Sequence, residues 1–104
     1  IMTSWLFLAT ESELIKHTKL TLQINNQYIG LYHLDNRYYA VEDACPHAQN
    51  FFLLSQGKVV NETVQCPFHN ALFHIPSGQC LRQPGRDLIK YEIRVSAGEI
   101  HGYF

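Results

Sequence analysis

From Thr18 to Ile24 the chain alternates: Thr18, Leu20, Leu22 and Ile24 fall on one side, Lys19, Thr21 and Gln23 on the other. A period of two belongs to a half-buried β-strand, because successive side chains of an extended backbone point to opposite faces. Asn25-Asn26 and Asp35-Asn36 then punctuate two further runs, Gln27 to Leu34 and Arg37 to Val41, in the manner of hairpin turns. Together they predict a three-stranded meander. Lys58 to Val60, Thr63 to Gln65, Leu72 to His74 and Gln79 to Leu81 predict short strands, with Pro76-Ser77-Gly78 as a tight turn between the last two. The chain closes with Leu88 to Val95, an Ala97-Gly98 turn and Glu99 to Phe104. Only Glu11 to His17 carries a helical expectation. Roughly nine short strands and no long helix predict an all-β protein, an antiparallel sandwich or partly open barrel.

No solenoid or propeller period, low-complexity stretch or linker is present, so residues 1–104 are expected to form a single domain. At this length a core is only just self-sufficient, and a cofactor that cross-links loops would help it. Two segments lack strand character, Glu42 to Gly57 and Cys66 to Ala71. Long irregular loops in a compact β domain usually carry function, which directs attention to these two.

Composition narrows the class. Apolar residues make up 46%, charged residues 16%, and the net charge is −1, which argues against a disordered tail or a nucleic-acid-binding surface. The apolar run Trp5 to Ala9 is far too short to span a bilayer and lacks the basic flank of a signal peptide. A soluble, cytoplasmic protein without membrane attachment is expected. Ile1, standing before Met2, is treated as a remnant of processing and enters no argument. Three cysteines cannot all pair with one another, and two of them lie in Cys-Pro contexts with a nearby histidine. That favours metal ligation over a disulfide framework.

The chemistry sits in Cys45-Pro46-His47 and, after an interval of 18 residues, Cys66-Pro67-Phe68-His69. Thiolate and neutral imidazole suit zinc and iron–sulfur centres alike, so ligand type leaves both candidates. Spacing separates them. Structural zinc sites usually take ligands in like pairs, whereas each loop here offers one Cys and one His. In a Rieske centre two cysteines bind one iron and two histidines the other, so each loop must reach both irons. A mixed pair in each loop does this.

With these residues in place, the sequence resembles Rieske-type [2Fe–2S] ferredoxins. The likeness extends to Phe73, Ser77-Gly78, Pro84, Leu88, Tyr91 and Gly98-Glu99-Ile100 downstream, and to Tyr39-Ala40-Val41 upstream. It implies stacked antiparallel sheets with a cluster-binding subdomain, whose two loops carry one [2Fe–2S] cluster on Cys45, His47, Cys66 and His69. It also implies that Pro84 lies in a loop covering the cluster, and that His47 and His69, nearest solvent, form the exit route for a single electron.

Departures from the family pattern are informative. Respiratory and photosynthetic Rieske proteins carry an extra cysteine in each loop, forming a disulfide; the matching positions are Asn50 and Phe68. They also place Ser and Tyr hydroxyls against the cluster sulfurs, where this chain has Ala71 and Phe73. Fewer donors stabilise the reduced, more negative cluster less, which predicts a potential low in the Rieske range. Asn70 replaces a usual Gly, and Asn tolerates left-handed backbone next best. Phe51-Phe52-Leu53-Leu54 is unusually apolar for a loop; at least two of its residues are expected to plug space beneath the loop, leaving any remainder for a docking surface. Cys80 is read as a packing residue, Pro46 and Pro67 as turn residues, and His17, His33, His74 and His101 receive no role.

The resemblance implies an electron carrier rather than an enzyme: the ferredoxin component of a ring-hydroxylating oxygenase system. Its partners would be a flavoprotein reductase and a terminal oxygenase. No Gly-rich nucleotide loop or mononuclear iron motif suggests a small-molecule substrate of its own. The alternatives are a Rieske-like small subunit of an assimilatory nitrite reductase and, from another class, a zinc-stapled β-domain that only binds protein.

Overall fold

The computed structural model describes residues 4–44, 53–67, 71–82 and 86–104. Their strands form three antiparallel sheets, built from β1 (Trp5–Thr10), β2 (Lys19–Ile24), β3 (Gln27–Leu34), β4 (Arg37–Glu42), β5 (Lys58–Val60), β6 (Thr63–Gln65), β7 (Leu72–His74), β8 (Cys80–Arg82), β9 (Lys90–Tyr91), β10 (Ile93–Ser96) and β11 (Glu99–Tyr103). One sheet runs β1-β11-β10, a second β2-β3-β4-β9 and a third β5-β6-β7-β8. The all-β expectation holds. The single helix among the described residues, α1 (Glu11–His17), and a 3-10 turn over Leu54–Gln56 complete the elements.

Local chemistry accounts for the joints. Asn25, Asn26, Asp35, Asn36, Ala97 and Gly98 all have positive φ, the pairwise left-handed geometry whose twist suits two-residue hairpins. Thr10 caps α1 by accepting from the Glu13 amide at 3.2 Å, so the strand-to-helix junction satisfies one of the helix's orphan donors. Leu14 on that helix is fully buried.

Burial explains the stacking. Ile29, Leu31 and Ala40 join Leu8, Ala9, Leu14 and Ile100 in one core cluster. Tyr32 and Val41, the next residues along the same strands, join Leu54, Val64, Cys66, Ala71, Phe73, Ile75 and Leu88 in the other. The β2-β3-β4-β9 sheet is therefore the middle of three layers, covered on both faces, and β3 reads as a continuous buried run from Ile29 to Tyr32. Edge strand β2 keeps the predicted alternation, with Leu20, Leu22 and Ile24 packed on the first cluster and Thr21 and Gln23 exposed.

Two elements differ from expectation. Trp5–Thr10 is a strand although its sequence does not alternate, because the register shifts between Phe7 and Ala9. A bulge spends one extra residue on one strand, and here it lets consecutive Leu8 and Ala9 both be buried. The predicted strand Leu88 to Val95 is two: β9 pairs with β4 in the middle sheet, whereas β10 pairs with β11 in the outer one. The chain changes sheets at Glu92, whose carbonyl accepts from the Tyr103 amide at 3.0 Å.

Candidate metal centre

Of the four proposed ligands, Cys66 is described; Cys45, His47 and His69 lie outside the described residues, as do Pro46, Asn50, Phe51, Phe52, Phe68, Asn70 and Pro84. Cys66 directly follows β6 and is 3% exposed, in the core cluster with Phe73 and Ala71. Its amide donates to the Ala71 carbonyl at 2.9 Å, so the β6–β7 ladder continues through Cys66 and fixes both ends of the short segment that contains His69. A soft thiolate donor held in an apolar wall, with the adjacent Pro67 exposed, fits an iron–sulfur group bound between a dry core and the surface.

The segment holding Cys45 and His47 is closed by a polar knot that motif reading missed. Asp43, fully buried, accepts from the Ser55 amide through Oδ1 and from the Ser55 hydroxyl through Oδ2, each at 2.5 Å. With its proton committed to the carboxylate, the Ser55 oxygen accepts from Thr21 Oγ1, also at 2.5 Å. The Asp43 amide donates to the Tyr28 carbonyl at 2.9 Å. Asp43 and Ser55 are 12 residues apart, a pairing that neither hydrophobic period nor ligand spacing can signal. The local sign on offer was an acid two positions before a metal-type cysteine.

Glycine brings the chain after the 3-10 turn against the end of β6. A Cβ on Gly57 would lie 1.8 Å from the Gln65 carbonyl oxygen, so the chain leaving the 3-10 turn touches the backbone of β6 one residue before Cys66. Lys19 Nζ donates to the Gly57 carbonyl at 3.0 Å, holding the same point from β2. Of the apolar stretch, Leu54 is fully buried in the core cluster and Leu53 is half-buried, while Phe51 and Phe52 lie outside the described residues. A third tether joins Glu42 to Arg86 by two 2.7 Å hydrogen bonds. Glu42 Oε1 also accepts from the Ile89 amide at 3.1 Å, fastening the chain just after residues 83–85 to the end of β4.

The remaining candidates have local roles. Cys80 is partly buried against the core cluster, and its amide donates to Asp87 Oδ1 at 2.8 Å. His33 packs on Tyr38, His101 on Phe7, and His74 bonds Ser77 Oγ at 2.7 Å within its turn. Ala71 and Phe73 are both fully buried, and neither side chain can donate a hydrogen bond. No helix among the described residues is long and apolar enough to cross a membrane.

Comparison with known proteins agrees with this geometry. The 3-phenylpropionate/cinnamic acid dioxygenase ferredoxin subunit of Photorhabdus laumondii is 37% identical over 75 residues, covering 70% of each chain. A chain from the complex of reduced oxygenase and oxidized ferredoxin in carbazole 1,9a-dioxygenase superposes with a TM-score of 0.83 at 26% identity, covering 94% of this chain and 91% of that one. A Mycobacterium tuberculosis chain assigned as the small subunit of an NADH-dependent nitrite reductase shares the fold, with a TM-score of 0.82, 22% identity and coverage of 100% and 97%. The model of the Rieske-like [2Fe–2S] domain matches residues 4–101, and the chain belongs to that family.

Proposed function

We propose that this chain is a one-electron carrier of the cytoplasm, a single domain whose Cys45, His47, Cys66 and His69 hold one [2Fe–2S] cluster. It receives electrons from a flavoprotein reductase and delivers them to a terminal ring-hydroxylating oxygenase. A cluster held by two thiolates and two imidazoles takes up and releases one electron at a time.

The chain's own residues do the rest. Cys66 supplies a thiolate from the dry side of the site, and the Asp43–Ser55 bond joins the two ends of the span that carries Cys45 and His47. The observation that carries the reading is this juxtaposition: buried Cys66 follows β6, one residue beyond the Gln65 carbonyl against which Gly57 is packed. With Ala71 and Phe73 unable to donate, the reduced state receives little stabilisation from side-chain hydroxyls at those positions, and the potential falls in the lower part of the Rieske range.

Low-temperature EPR of the dithionite-reduced protein tests the assignment. The expected signal has a lower average g than that of an all-cysteine cluster, and it disappears in His47→Ala and in His69→Ala. Retention in either variant contradicts the ligand set, and colourless protein containing zinc without acid-labile sulfide would replace the reading with a zinc-stapled binding domain. The likeness to the mycobacterial small subunit supports a second role for the same centre, as a fixed subunit of a nitrite reductase. Co-purification with a large sirohaem protein would identify that role, whereas reduction by a flavoprotein and reoxidation by an oxygenase identify the first.

A further inference from the structure

The outer face of the β1-β11-β10 sheet carries aromatic side chains that the packing of the core does not require. Strand β11 alternates, with Ile100 and Gly102 buried and Glu99, His101 and Tyr103 turned the other way. Register sets Trp5 opposite Tyr103, and Phe7 and Arg94 on either side of His101. Contacts place these side chains on one surface: the Trp5 and Tyr103 ring centroids are 5.3 Å apart, those of Phe7 and His101 5.7 Å, and the Arg94 guanidinium lies 4.2 Å from the centre of the Trp5 ring. Phe7 is 53% exposed and Tyr103 41%.

Such a surface has the composition of a protein interface. Aromatic residues and arginine are enriched at interfaces and lysine is depleted, and rings already stacked on one another lose little freedom on docking. Charge indicates the occupant. Among the described residues Arg94 has no carboxylate partner, while the exposed Glu99 side chain stands 3.8 Å from His101 Nε2. A face holding the cation alone would suit an acidic partner. One that holds an unpaired cation and an exposed carboxylate together is complementary to itself, as a two-fold contact demands.

Register determines how two copies meet. Along β11, Glu99 and Tyr103 lie two residues to either side of His101, so antiparallel face-to-face packing about a two-fold at His101 sets Tyr103 over Glu99 of the second copy. The Arg94 guanidinium, held above Trp5 beside Tyr103, reaches that same Glu99, and the two Phe7 rings meet. A cleft of about 390 Å³ lined by Arg94, Ser96, Ala97, Glu99 and His101 receives the ring of Tyr103 from the second copy. We propose that this face joins two copies of the chain in a two-fold, back-to-back pair. Ile100, beneath the face, belongs to the core cluster on the far side of the middle sheet from Cys66, so the contact leaves the Cys66 side of each copy uncovered. Three short strands offer a small area, which makes the pair weak and concentration-dependent.

Sedimentation equilibrium across a dilution series, from millimolar to micromolar protein, tests the pairing. The wild-type mass rises toward twice that of the chain at the concentrated end. Arg94→Glu and Glu99→Arg, both at exposed positions, each set like charges together and weaken association about tenfold or more. The double variant Arg94→Glu with Glu99→Arg restores the attraction and regains the association of the wild type, with circular dichroism showing all three variants folded. Wild-type protein that stays monomeric throughout the series overturns the proposal. So does a dimer that either single variant leaves unchanged, or a double variant no better than the singles. A monomeric wild type whose Arg94→Glu variant loses affinity for a flavoprotein reductase, at unchanged potential, overturns it in favour of a different protein on the same face.

Discussion

Ser55→Ala isolates one strand of the knot beneath the proposed site. The substitution deletes the hydroxyl that donates to Asp43 Oδ2 at 2.5 Å while leaving the Ser55 amide on Oδ1. Because Asp43 is fully buried, the oxygen left behind has no solvent to replace the lost donor. A hydrogen bond to a charged group contributes about 1.5–3 kcal/mol, and the buried site places the loss near 2 kcal/mol. Thr21 also loses its acceptor, but it is exposed and rebonds to water at little cost. For a chain of this size each kcal/mol moves Tm by about 4–8 °C, so a fall of about 8–16 °C is expected. Asp43→Ala removes the acceptor for both donors and costs more, about 3–5 kcal/mol. The double variant is then no worse than Asp43→Ala by more than about 0.5 kcal/mol, because the two changes delete the same bond. Urea unfolding of loaded and cluster-free protein reads these values, and chelator-driven cluster loss, followed by absorbance, accelerates in each variant. A Ser55→Ala protein melting within about 2 °C of wild type, or a strictly additive double variant, would refute the reasoning.

Other positions yield separate tests. Gly57→Ala places a methyl group 1.8 Å from the Gln65 carbonyl oxygen, a clash with rigid backbone; it costs about 3 kcal/mol or more, seen as a large loss of folded protein in a urea titration. Thr10→Ala removes the cap of α1 and lowers stability by about 1 kcal/mol with an unchanged denaturant slope. Arg86→Ala costs less than about 1 kcal/mol, because the guanidinium is more than half exposed and solvent screens the pair. Glu42→Ala, by contrast, removes the acceptor of the Ile89 amide, and hydrogen exchange at that amide becomes faster.

What the sequence disclosed follows from what is local. Hairpins at Asn25-Asn26 and Asp35-Asn36 were legible because those residues meet a left-handed demand within two positions, and α1 because its whole span is short and contiguous. β1 was not legible as a strand: the bulge at Leu8 cancels the alternation from which a strand is recognised. Nor could the pattern from Leu88 to Val95 show that the chain leaves one sheet for another at Glu92, since both halves are extended. The Cys/His spacing pointed to the centre because adjacent ligands in one loop are a local signal. The Asp43–Ser55 bond and the Tyr32 ring over Gly30 depend on strand pairing, and no single segment encodes them.

The two-sided burial of β3 has a consequence for how this protein can diverge. Leu31 and Tyr32 are neighbours in the chain, yet one belongs to the core shared with the outer sheet and helix and the other to the core that backs Cys66. Alternate positions of a single strand therefore answer to different selective demands. Changes at Ile29, Leu31 and Ala40 can remodel the outer β1-β11-β10 layer and whatever it presents to other proteins, while Tyr32 and Val41 keep the core around Cys66 constant. A carrier that must meet changing partners without losing its potential gains that independence from a period of two residues.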